Sequence, residues 1–76
     1  MKEKILMQPS VGRIVHYQSH GTPGGEYKSE PRAAIITGVV DETTVHLCVL
    51  NPTGQFFNLD VKHGDGPGRW SWPPRV

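Results

Sequence analysis

The chain has 76 residues, nine glycines, seven prolines and a net charge of +1 with its four histidines neutral. That length leaves room for one domain at most, whose small core calls for a staple or a partner chain. Its one cysteine rules out an intrachain disulfide and points to a reducing compartment, and eight scattered basic residues form no stripe that could neutralise a row of duplex phosphates.

Residues 1–10 contain only three consecutive apolar residues, Ile5, Leu6 and Met7. A secretory core needs about 7–15, and no segment reaches the ~18 of a membrane span. The segment is expected to stand as an extension before a single β-barrel domain at residues 11–76. The protein is expected in the cytoplasm, with no membrane partner and no duplex nucleic acid.

Glycine and proline punctuation leaves no helical periodicity, and five short runs read as strands. The first is Val11 to Tyr17. The second, Arg32 to Val40, is apolar on both faces, with Ala33, Ile35 and Val39 on one and Ala34, Ile36 and Val40 on the other. A second apolar face in so short a chain needs a cover, and another subunit supplies one, so a homo-oligomer, a dimer first, is expected.

The third run, Thr44 to Leu50, should turn Val45, Leu47 and Val49 inward. Cys48, in the middle of this apolar strand, reads as a small buried hydrophobe. Asp41-Glu42-Thr43 makes a short hairpin loop before it. Asn51-Pro52-Thr53-Gly54 after it has the residues of a type I turn. The fourth run is Gln55 to Val61. Its adjacent Phe56 and Phe57 point to opposite faces, one for the core and one left exposed or at an interface. The last run, Gly68 to Trp72, carries both tryptophans. At i and i+2 they share a face and offer a broad apolar surface with two N–H donors. The fold class is therefore all-β, a small five-stranded antiparallel SH3-like barrel.

No catalytic set stands out. His16, His20, His46, His63 and Cys48 match no common zinc spacing, the acids are dispersed, and Gly64 to Gly68 leads into a strand rather than a helix, so it is no phosphate loop. No enzyme activity, metal or cofactor is expected. What remains is ligand binding. Arg13 and Arg32 present planar forks suited to phosphate. Trp70, Trp72 and Tyr17 are candidate walls for a planar ring. Each has a plainer alternative: Arg13 as an edge-strand charge, and the tryptophans as barrel closure. Long loops at Ser19–Pro31 and His63–Pro67 are the natural carriers of further contacts.

Several segments together, Val11-Gly12-Arg13-Ile14-Val15-His16-Tyr17, Arg32-Ala33-Ala34-Ile35-Ile36-Thr37, Val49-Leu50-Asn51-Pro52-Thr53-Gly54, Phe56-Phe57 and Trp70-Ser71-Trp72-Pro73, resemble a group of short phage and prophage proteins of unassigned role. The likeness covers the chain from Val11 onward. The chain is also similar in general character to the small β-barrel sponge proteins with which phages sequester cyclic-nucleotide immune signals, of the anti-CBASS and anti-Thoeris type. That resemblance implies an oligomeric barrel holding a nucleotide messenger without cleaving it. Two readings of other classes stand beside it: a protein–protein adaptor or inhibitor barrel that takes extended peptides, and a small virion structural protein.

Overall fold

The structure is a computed structural model and describes residues 7–22, 24 and 28–74. Five strands form one antiparallel sheet: β1 Ile14–Gln18, β2 Pro31–Val39, β3 Thr44–Asn51, β4 Gly54–Lys62 and β5 Trp70–Ser71. The order is β4-β3-β2-β1-β5, and the sheet curls into a half-barrel. The expected all-β architecture is thus present, with β2, β3 and β4 as a meander.

The strands begin and end where local chemistry dictates. Val11 and Gly12, expected within the first strand, instead form a turn. Gly12 has a φ of 95°, a left-handed conformation that glycine adopts without steric cost. Its amide still reaches the Ile36 carbonyl at 2.8 Å. At the other end, Gly68 (φ 80°) and Pro73 limit β5 to two residues where five were expected. The β2–β3 connection is held by Asp41. One of its oxygens accepts the Thr43 and Thr44 amides at 2.9 and 2.8 Å, the local bonding that favours aspartate in turns. The β3–β4 hairpin closes on the pair Asn51–Gly54 around Pro52-Thr53.

Directly paired residues of antiparallel strands project to the same face. Val15 pairs with Ala34 and Ala34 with Val49, while Ile36 pairs with Leu47. With Val45, Val61 and Trp70 these make the core on the concave face, and the inward set expected on β3 is inside. Tyr17 and Trp72 pack against its margin. The convex face carries the row Ile14–Ile35–Cys48–Phe57. Cys48 is buried, as expected, and its thiol donates to Gln55 Oε1 at 3.4 Å.

The expectation that one of Phe56 and Phe57 is core does not hold: they are 55% and 70% exposed. They do lie on opposite faces, but β4 is the edge of the sheet. The concave curl closes over β1–β3, so Phe56 extends past the core instead of into it. A bulge opposite His46, where Asp60 has a φ of 55°, twists the far end of β4 back toward the core. There Val61 is buried, and His63 bridges Trp70. Of residues 7–10, expected outside the barrel, Pro9 is buried, and Met7 and Gln8 line one hollow with Trp70 and Trp72.

Candidate functional site

The antiparallel register sets three side chains in line across the concave face. Trp70 pairs with Tyr17, and Tyr17 pairs with Arg32. One step further, the pairing of Ala33 with Leu50 places Asn51 beside Arg32. The turn at Pro52-Thr53 brings β4 back alongside, with Phe56 paired to Val49. The result is a cleft of two adjoining hollows, about 660 Å³ on the loop side and about 210 Å³ on the sheet side, the larger within the size range of small-molecule sites. Ser19, His20, Arg32, Asn51 and Phe56 form its shared wall. Lys28 and Thr22 lie toward the loop side, and Tyr17, Val49 and Asn58 toward the sheet.

The loop that contributes His20 and Lys28 is stitched at its base. Gln18 Nε2 donates to the Ser29 hydroxyl at 2.8 Å. The Ser29 hydroxyl donates to the Ser19 carbonyl, and the Glu30 amide donates to the Ser19 hydroxyl at 2.9 Å. His20 lies against Gly68 on the other side, where an added Cβ would stand 2.7 Å from Nε2. Only a glycine lets the imidazole lie so close to that backbone.

Arg32 is the chemically distinctive member. It sits in the wall of the cleft with only a fifth of its side chain exposed, and one terminal nitrogen lies 3.6 Å from Glu30. Its Nε is buried and has no hydrogen-bond partner among the described residues. A guanidinium has five N–H donors, and a buried donor left unmade is costly. A planar fork with spare donors beside two aromatic rings suits an anion attached to a flat ring.

No family model, curated protein or solved structure matches the chain. The site therefore stands on its own geometry.

That geometry divides the five residues singled out in the sequence. Arg32 and Tyr17 line the cleft. Arg13 lies four residues before Tyr17 along the chain, about 13 Å away if fully extended. Its guanidinium carbon sits 5.0 Å above the Trp72 ring, a cation–π contact rather than a cleft wall. Trp70 is 1% exposed, and its indole N–H donates to the Thr43 carbonyl at 3.0 Å. Trp70 and Trp72 do share a face, but their rings meet edge to face, 5.3 Å apart at 83°. They make no single flat platform. Their hollow, which includes Met7, Glu42, Thr43 and His63, is separate from the cleft.

Sequence reasoning did not single out His20, Lys28, Asn51 or Phe56 as ligand contacts. The signal for three of them was the pairing of strands two and three. It brings the long loop before Arg32 and the turn after Leu50 to the same end of the sheet. Among the described residues, no three His, Cys, Asp or Glu side chains are grouped to hold a metal ion, and no helix is long and apolar enough to cross a membrane.

Proposed function

We propose that this protein is a non-enzymatic binding protein that holds a nucleotide-type ligand in the Arg32 cleft. It would act as a sponge in the cytoplasm of a phage's host, as its resemblance to phage proteins implies. The observation that carries the reading is the Arg32 guanidinium, with a buried and unpaired Nε, in the same wall as Tyr17 and Phe56. Arg32 would take a phosphate, with Lys28 and His20 adding donors from the loop. Phe56 or Tyr17 would stack on the base, and Asn51 and Asn58 would read its polar edge. Among the described residues no carboxylate lines the cleft, which favours holding over cleaving.

A second reading has its own observation. Ile14, Leu50 and Phe57, on the convex face, are 61%, 40% and 70% exposed, which favours an adaptor that meets another protein. The two readings use opposite faces of one sheet.

The test is a thermal-shift and calorimetric panel of mononucleotides, cyclic dinucleotides and cyclic oligonucleotides. A ligand at a thousandfold excess over its Kd raises stability by ~4 kcal/mol. The expected result is at least one such ligand, recovered chemically unchanged, whose effect disappears in Arg32→Met. If no nucleotide moves the melting temperature, the cleft reading fails and the adaptor reading takes its place.

A further inference from the structure

The two edges of the sheet are treated differently by the sequence. The β5 edge is two residues long and is followed, after Trp72, by Pro73-Pro74. Short length and proline are standard protections against pairing with another chain. The β4 edge is nine residues long, and only its second half is protected. There the bulge at Asp60, the charges of Asp60 and Lys62, and the His63–Trp70 bridge turn the strand back into the half-barrel. The first half, Gly54-Gln55-Phe56-Phe57-Asn58-Leu59, has no charge and no proline. Three of its side chains are large, apolar and more than half exposed: Phe56, Phe57 and Leu59.

The main chain of this segment is also half satisfied. A two-residue turn makes Asn51–Gly54 a hydrogen-bonded pair, and such pairs alternate along an antiparallel ladder. Gly54, Phe56 and Asn58 therefore bond inward to β3. Gln55, Phe57 and Leu59 aim their N–H and C=O groups away from the sheet.

We infer that residues 54–59 pair antiparallel with the same segment of a second copy, extending the two five-stranded sheets into one of ten. The register follows from the three outward-facing residues. Phe57 lies opposite the partner's Phe57, and Gln55 opposite the partner's Leu59. This centre uses all three outward residues on each chain. It also stacks the two Phe57 rings on the convex face as a directly opposed aromatic pair. A second copy is the occupant the segment suits best, because uncharged residues meet uncharged residues and each bulge falls outside the paired stretch. A chain of this size with few buried apolar residues also gains most from such an association. On the concave face the partner's Asn58 comes to lie beside Phe56, so the second copy completes the open side of the cleft. The pairing itself does not depend on what the cleft binds.

Sedimentation equilibrium at tens of micromolar protein, without ligand, tests this. The expected mass is twice that of the chain. Phe57→Lys sets two ammonium groups face to face at an already exposed position and should leave a folded monomer. Gln55→Pro removes an outward amide but no main-chain bond to β3, where it gives up only the long contact from the Cys48 thiol at 3.4 Å, and should weaken the dimer about tenfold or more by deleting two intersubunit hydrogen bonds. Circular dichroism confirms that both variants keep the wild-type strand signal. Leu50→Lys, on the convex face but away from the edge, should leave the dimer intact. A wild-type monomer at these concentrations overturns the inference. So does a dimer that Leu50→Lys and Phe57→Lys break and Gln55→Pro does not, because that dimer packs convex face to convex face.

Discussion

The indole N–H of Trp70 donates to the carbonyl of Thr43 across 3.0 Å, tying the last strand to the loop between β2 and β3. The same carbonyl accepts the His63 amide at 2.9 Å. These two bonds pull the end of β4 and the start of β5 over one end of the core, while His63 meets Trp70 edge-on at 4.8 Å. Trp70 is therefore a closing element of the half-barrel. Trp70→Phe should lose ~2 kcal/mol of stability from the missing donor and unfilled volume. In a domain of this size that lowers the melting temperature by roughly 8–16 °C, with nucleotide affinity per folded molecule unchanged. Trp70→Ala, at ~3–5 kcal/mol, should leave little folded protein. A folded Trp70→Phe variant that had lost its ligand would return the tryptophan to the binding site.

Arg32 and Arg13 should behave oppositely. Losing a charge-assisted contact to phosphate costs ~1.5–3 kcal/mol, so Arg32→Met should weaken nucleotide binding by about 10- to 150-fold. Arg13→Met removes an exposed cation–π contact with Trp72, worth ~0.5–1 kcal/mol of stability, and should leave affinity within about twofold of wild type. Calorimetric titration of both variants checks this, and equal losses in the two would contradict the division of the site.

Phe56 is 55% exposed on the cleft wall. Phe56→Ser should therefore change the melting temperature little while removing a stacking surface worth ~1–3 kcal/mol. Quenching of the Tyr17 or tryptophan fluorescence by added nucleotide, followed as a titration, reads the loss directly. Unchanged affinity would assign the stacking to Tyr17 alone.

Asp41 supplies a pH dependence. The Thr43 amide, opposed by desolvation and helped by bonds from Thr44 and the Thr43 hydroxyl, holds its carboxyl below the ordinary aspartate value. A folded-state value below the unfolded one means stability that is fully present above the ordinary aspartate value. It is lost as the pH falls through the folded-state value. Thermal melts between neutral and strongly acid pH should show this fall in the wild type and a shallower one in Asp41→Asn, which keeps an acceptor oxygen but does not titrate. Parallel curves for the two proteins would show that other carboxylates dominate acid unfolding.

Much of the fold was legible in the chain itself. Period-two alternation in Thr44 to Leu50 gave the inward set, because a side chain in a strand has only two directions to choose from. Asn51-Pro52-Thr53-Gly54 gave its turn, and Cys48 its burial, for equally local reasons. Strand ends were less legible at Gly12 and Gly68, since a glycine permits the left-handed conformation without announcing it.

The site was decided by pairing. Sequence alone named Arg13, Tyr17, Arg32, Trp70 and Trp72 as one group, on side-chain chemistry. Which of them meet depends on register, a long-range property that one residue of slip inverts. Register put Arg32 beside Tyr17 and Asn51, and it turned Trp70 into the core. Phe56 and Phe57 make the same point from the edge of the sheet: alternation assigns them to opposite faces, but only the tertiary curl decides how far the core reaches. It stops short of the first half of β4, and both rings are left exposed, one on the cleft and one on the open strand.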